Sequence, residues 1–389
     1  MLSAGAGAPA AVTGGTAWYA YDGHSLYIQE SGPYSAWREW RQGNDAPGPR
    51  PTVLLRSAVL ASSPHNTQPW RFRVGESSVQ LFLDPRRSVE GLDPFLREAY
   101  IGMGCALENV ALAAGAYGWT ERTNVPDGRL ASQPTEALRM VAQVDLEPGP
   151  RRQSLLYGAI PNRHTNRGMY DPGRELPSGF IGELSRLGEG DARVFVFEDQ
   201  SRKDQLVRIS AAANRELYSD AWVEGGNQQW IRWRTNEIRR QADGITIDNF
   251  GLPPVMTAFA KAAPTRLIQR AASPERRSEM YEPQMRSARV IGVIAVRDRM
   301  SVRQSVAAGR VWQRAHLLAT SRGAAARPCN EAIEMADYER QHGRPPRRLG
   351  ELAGVIGEAG WEPTFLFLMG RATQEAGLSP RRGVGRVVL

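Results

Sequence analysis

Residues 62–72 read Ser62-Ser63-Pro64-His65-Asn66-Thr67-Gln68-Pro69-Trp70-Arg71-Phe72. Before them, Val53 to Ala61 reads as a helix. After them, Arg71 to Val74 alternates, Gly75-Glu76-Ser77 turns, and Val79 to Leu83 alternates again, which is the pattern of a hairpin. The stretch is therefore a helix-to-strand turn crowded with short polar side chains. Two readings stand side by side. It is a turn whose Trp70 anchors the core, or its Ser and Asn side chains aim donors and acceptors at a ligand.

Outward from the turn, Asp93-Pro94 has the chemistry of a helix start, with Asp as cap and Pro in the first position. The spacing predicts a long helix to about Ala114, stopping near Gly118. Met140 to Leu146 follows as a strand. The later chain repeats this grammar. Ser178 to Leu187 reads as a helix, Val194 to Phe197 and Val290 to Val296 as strands, Val302 to Ser321 as a long helix ending near Gly323, and Thr364 to Met369 as a last strand. Gly104 and Gly118 mark the first long helix at the same spacing as Gly309 and Gly323 mark the second. Small residues at mid-span allow two helices to approach closely. Trp37 and Trp40 suggest a short helix over Tyr34 to Gln42, and Gly43 to Pro51 reads as a loop.

The composition excludes several function classes. The chain has 389 residues, 41% hydrophobic and 23% charged, which suits two domains with real cores. The formal charge is +8, but the basic residues are almost all arginine, scattered among acids. No long basic run points to nucleic acid. Cys105 and Cys329 read as small buried residues. His24, His65, His164, His316 and His342 show no metal-ligand spacing, so no metal is expected. No apolar run reaches the ~18–20 residues of a membrane helix. Ala4 to Tyr19 reads either as a tail or as the end of an export signal lacking its basic start. The first implies a cytoplasmic protein, the second an exported or anchored one.

The turn resembles the Ser-x-x-Asn-x-Gln-Pro-Trp signature of the nitroreductase family. Its His-Asn-Thr-Gln-Pro-Trp spelling is similar to that of the Acg-like, FMN-binding branch. Arg163-His164-Thr165-Asn166-Arg167 resembles the family's Arg-x-Ser-x-Arg motif, with Thr for Ser. The likeness runs from about residue 35 to the C-terminus. It implies an α+β fold of two related halves, 35–150 and 151–389, after a 1–34 tail. Each half would hold a mainly antiparallel sheet flanked by helices, with the long helices packed at a pseudo-twofold interface. In the family the two motifs come from different subunits. Here each occurs once, which implies a fused dimer with one complete site, monomeric as a pseudo-dimer.

By the same resemblance, Ser62, Ser63, Asn66 and Gln68 would face the flavin ring. An isoalloxazine edge alternates carbonyls with an N–H, and one Asn amide satisfies it. Arg163, His164, Thr165 and Arg167 would hold the FMN phosphate through charge-assisted bonds. His164 and Asn166 depart from the family pattern, keeping hydrogen bonding but lowering local charge. Pro328-Cys329-Asn330-Glu331 would lie over the reactive edge, or be an ordinary loop. Arg371, and one of Arg381 and Arg382, would reach the phosphate, and Arg310 would fill the interface. The segment 220–286, rich in Trp and turns, reads as a lid. The implied activity is hydride transfer from NAD(P)H through FMN to a nitroaromatic, quinone or similar acceptor. The alternative is an FMN storage protein whose lid closes the flavin. No catalytic side chain is expected.

Overall fold

The computed structural model describes residues 32–42, 51–132 and 136–389. The expected tail up to residue 31, and the expected Gly/Pro loop up to residue 50, lie outside the described residues.

Two antiparallel sheets organise the chain, which is α+β. In chain order the first elements are α1 (Ser35–Gln42), α2 (Leu55–Ala58), β1 (Trp70–Val74), β2 (Ser78–Leu83), α3 (Arg97–Tyr117), β3 (Trp119–Asn124), β4 (Arg139–Pro148) and α4 (Leu155–Ala159). The first sheet has the order β1-β2-β4-β3. Then come α5 (Phe180–Ser185), β5 (Gly188–Glu189), β6 (Ala192–Phe197) and α6 (Gln200–Leu217). The segment after α6 holds α7 (Ala221–Gln228), β7 (Ile231–Arg232), α8 (Thr235–Gln241), β8 (Ile245–Thr246), α9 (Pro254–Ala262), α10 (Thr265–Ala271) and α11 (Pro274–Ser287). The chain closes with β9 (Val290–Val296), α12 (Val302–Ser321), β10 (Ala325–Pro328), α13 (Glu331–Gln341), α14 (Arg347–Ile356) and β11 (Glu362–Gly370). The second sheet has the order β10-β11-β9-β6-β5. β9 is apolar at every position and buried on both faces, between α12 on one side and α6 on the other.

The long helices cross where the glycines predict. A Cβ on Gly104 would lie 2.1 Å from the carbonyl oxygen of Val306, and one on Gly309 would lie 2.0 Å from that of Ile101. Only hydrogen fits at either position. Both helices then end in left-handed glycines, Gly118 at φ 83 and Gly323 at φ 66. The start of α3 differs from expectation. Residues 93–96 form a turn closed by Leu96 N–H to Asp93 C=O at 3.0 Å, and Leu96 itself is left-handed. The helix therefore opens at Arg97. Asp93 still caps it, its carboxylate accepting from the N–H groups of Glu98 (3.0 Å) and Ala99 (2.9 Å). By length and composition α3 could cross a membrane, but 83% of its apolar window is buried in this body.

Two segments tie the sheets to the rest of the chain, the C-terminal tail and the arginine motif. Phe72 N–H donates to Val387 C=O at 2.8 Å, and Leu389 N–H returns to Phe72 C=O at 2.8 Å, so the C-terminal tail extends the first sheet beside β1. Asn166 N–H donates to Ala326 C=O at 3.1 Å, which lays the arginine motif along β10. The base of the insertion is fixed: Trp230 donates to Ser88 C=O at 2.8 Å, and buried Asp243 pairs with Arg232 at 2.7 Å and with Arg87. α9 and α10, in contrast, bury no residue fully.

Replacing Gly309 by Ala is expected to cost about 2–3 kcal/mol in urea unfolding, because the added methyl meets backbone rather than a movable side chain. A loss below about 0.5 kcal/mol would show that the crossing is not close-packed.

Candidate functional site

The polar turn is strained and heavily tied. His65, Asn66 and Gln68 have φ of 46, 57 and 51, a region that costs any residue with a side chain. Local bonds close it: Asn66 N–H to Ser63 C=O at 3.1 Å, Thr67 N–H to Pro64 C=O at 2.8 Å, and Gln68 N–H to Ser63 Oγ at 3.1 Å. Distant bonds then hold it from three sides. Ser62 N–H donates to Gln313 of α12 at 3.3 Å, and Trp312 Nε1 donates to Ser62 Oγ at 3.3 Å. The Asn66 amide donates to Gly244 C=O (3.0 Å) and Pro380 C=O (2.9 Å), and its oxygen accepts from Arg381. Gln68 is fully buried, donating to Ala242 C=O at 2.9 Å and accepting from Arg382 N–H at 2.8 Å.

Beside the turn lies a cavity of about 980 Å³, at the upper end of the range for cofactor-sized ligands. Ser62, Ser63, Thr165, Arg167, Pro328 and Asn330 all line it, although they come from three separate segments. Trp312 of α12 and Ile101, Gly102 and Cys105 of α3 form further wall, and Met256, Phe259 and Leu267 of the insertion, each more than half exposed, also line it. Here the expected lid and the expected site residues meet.

The other expected site residues are not part of this wall. Asn66 and Gln68 face the C-terminal tail and the insertion, because that tail supplies their partners. Arg382 contacts Gln68 C=O at 3.1 Å and Arg386 C=O at 3.0 Å. Arg371 points elsewhere, to the carbonyls of Glu175 (3.2 Å), Arg322 (3.2 Å) and Gly323 (2.5 Å), where it closes the exposed end of α12. Arg310 pairs with Glu108 (2.9 Å) and Glu189 (2.8 Å), bridging α3, α12 and β5.

Arg163, His164 and Arg381 form a layer behind the wall. Trp312 packs on His316 with ring centroids 4.9 Å apart, and His316 contacts the Arg163 guanidinium at 3.2 Å. Arg163 also donates to Leu60 C=O at 3.2 Å. The Arg381 guanidinium lies over Trp37 at 4.9 Å, and the His164 ring packs on the same Trp37 at 4.7 Å. Among the described residues no carboxylate pairs with Arg163 or Arg381, and Arg163 Nε, His164 Nδ1 and Arg381 Nε have no partner. Burial lowers Arg163 to about 10 and pushes Arg381 well below its ordinary value, the charge of Arg163 adding to the effect. Burial, with the charges of Arg163 and Arg381, lowers His164 to about 3, and burial with the charge of Arg163 lowers His316 well below the usual histidine range. A buried positive layer without a counter-charge suits an anion.

Sequence reasoning passed over Trp312, Tyr281 and the carboxylates Glu98 and Glu334, all of which line the cavity. The one available signal was Glu331-x-x-Glu334, two acids one helical turn apart directly after the Pro328-Cys329-Asn330 segment.

His164 unfolds into water with a value near 6.5 but is held near 3 when folded. Between these values the unfolded chain binds the extra proton, so this group's contribution is full above 6.5 and is lost as pH falls. The wild-type stability is therefore expected to drop relative to His164→Gln between about pH 6.5 and 4. The variant also cancels the opposite effect of the buried carboxyls. A difference independent of pH in urea titrations would contradict the assignment.

No family model matches the chain. Two proteins of Mycobacterium tuberculosis, provisionally named NAD(P)H nitroreductases, do match. Rv3131 is 36% identical over 121 residues, covering 30% of this chain and 33% of its own length. Acg is 40% identical over 181 residues, covering 44% and 52%. The matches thus span between a third and about half the length of these relatives. Solved structures also overlap the chain. The FMN-dependent nitroreductase NfnB of Mycobacterium smegmatis, in complex with NADPH, has 13% identity and a TM-score of 0.36, over 59% of this chain and 95% of its own. A Desulfitobacterium hafniense nitroreductase with bound FMN has 13% identity and a TM-score of 0.34, over 60% and 95%. The chain is a homologue of the mycobacterial proteins that carry the NAD(P)H nitroreductase name, Acg among them.

Proposed function

We propose that this chain binds one FMN and passes hydride from NAD(P)H through it to a nitroaromatic, quinone or similar acceptor. One observation carries the reading: segments 62–65, 165–167 and 328–330 wall a single cofactor-sized cavity, and an uncompensated cationic layer stands directly behind it. The unpartnered guanidinium and imidazole nitrogens fit a phosphate dianion. Arg167 and Thr165, which line the cavity, would meet it, and Arg163, Arg381 and His164 would support it from the layer behind. Ser62 and Ser63 would hydrogen-bond the polar edge of the ring, and Trp312 would pack against its apolar part. Pro328 and Asn330 would flank the reactive edge. Bound FMN supplies two-electron hydride chemistry; the chain binds and orients it and keeps water away. On this reading 35–150 and 151–389 are the halves of a fused dimer, with one working site in a monomer.

A second reading is FMN storage. It is favoured by the insertion, whose Met256, Phe259 and Leu267 lie across the cavity. Anaerobic addition of NADPH to the yellow protein separates the two. Rapid bleaching is expected of a reductase, whereas a flavin that stays oxidised supports storage. Arg163→Ala and Arg381→Ala are each expected to weaken FMN binding at least about tenfold in equilibrium dialysis, by loss of the buried positive charge behind the phosphate site. Unchanged retention in both would refute the phosphate assignment.

A further inference from the structure

The cavity has a second charged end. Glu98, in the first turn of α3, and Glu334, in the first turn of α13, both line it and are each only 5% exposed. They belong to a buried cluster with an unbalanced charge. Asp93, Glu98, Glu334 and Asp337 supply four carboxyls, against the guanidiniums of Arg97 and Arg299. Both guanidiniums are directed at Asp337: Arg97 Nε lies 2.7 Å and Arg299 3.0 Å from its oxygens. Arg97 reaches Glu98 only at 3.4 Å. Asp93 accepts from two backbone N–H groups. Among the described residues Glu334 forms no ion pair, and its Oε2 has no hydrogen-bond partner. With Arg97 engaged mainly by Asp337, two carboxyls facing one buried space do not both stay ionised, so the pair retains a proton.

We propose that Glu334, backed by Glu98, is the proton donor of this cavity, acting on the oxygen of an acceptor reduced there. The inference rests on the reductase reading above. A quinone illustrates the balance. It gains a hydride from the reduced cofactor and a proton from the carboxyl. The carboxyl O–H bond breaks, an O–H bond forms on the acceptor oxygen, and hydroquinone leaves. The carboxylate then recovers a proton from water.

Burial raises Glu98 to about 8, against the opposing pull of Arg97 and with added repulsion from Asp93 and Asp337. Burial raises Glu334 well above its usual range, and Glu98, Glu331 and Asp93 reinforce it while Arg97 opposes. Tyr218 lies beside Glu334 and Glu331, its hydroxyl raised by burial and by their charge. Glu331 has a partner of its own in the Tyr281 hydroxyl at 2.6 Å, so it is not equivalent to Glu334.

The test uses FMN-loaded protein and Glu334→Gln, with Glu98→Gln and Glu334→Asp alongside. Infrared spectra at neutral pH should show a protonated-carboxyl absorption that alkali removes and that Glu334→Gln diminishes. Reoxidation of the anaerobically reduced protein by a quinone should slow about 100-fold in Glu334→Gln. In the wild type that rate should fall as rising pH removes the proton that burial holds on Glu334, and Glu334→Asp should keep the pH dependence with a partial loss of rate. If Glu334→Gln does not fold, Glu98→Gln and Glu334→Asp carry the comparison. An unchanged infrared band, or variant reoxidation with wild-type rate and pH profile, overturns the proposal while leaving the flavin reading intact. Protein that retains no FMN overturns the flavin reading itself, and this inference with it.

Discussion

Gly104 against Gly309 is the contact on which the rest of the molecule depends. With hydrogen as the only side chain at both positions, α3 and α12 approach to backbone distance. That approach brings Ile101, Gly102 and Cys105 of one helix to the same wall as Trp312 of the other. It also sets His316 next to Arg163, and so fixes where the cationic layer sits relative to the cavity. Any wider separation would open the wall and let water to the buried guanidiniums, whose properties come from its exclusion.

The C-terminal tail supplies the second constraint. The C-terminal tail pairs with β1, and its Pro380, Arg381 and Arg382 hold Asn66 and Gln68. Three residues of the turn keep left-handed backbones because these bonds, with those from Gly244 and Ala242, compensate the local cost. Buried charge of both signs thus stands around the cavity. Arginines without acids stand behind Trp312, and carboxyls in excess of arginines gather at the start of α3. Charge of both signs is held out of water, which natural cores avoid unless it serves a ligand or a reaction.

Much of the fold was legible because its signals are local. β9 is a continuous apolar run, α12 starts at a serine and ends before a left-handed glycine, and the hairpin has an obvious turn. β3 was not legible: Trp119-Thr-Glu-Arg-Thr-Asn is a polar edge strand with no buried face of its own. α6 and α13 are equally mixed in polarity, and only packing against β9 and β11 reveals their buried sides. The site was legible by segment and not by side chain. Resemblance pointed to the turn, the arginine motif and the Pro328 loop, and all three reach one cavity. It could not show that Asn66 turns to the tail, that Arg371 closes a helix, or that Glu98 and Glu334 face inward. Those depend on residues from 48 to 315 positions away, whose placement no spacing encodes.

The most direct test of the central claim is the flavin stoichiometry of the purified protein after saturation with FMN and removal of the excess. The account predicts one FMN per chain, released intact on denaturation. A colourless protein, or two flavins per chain, would contradict it.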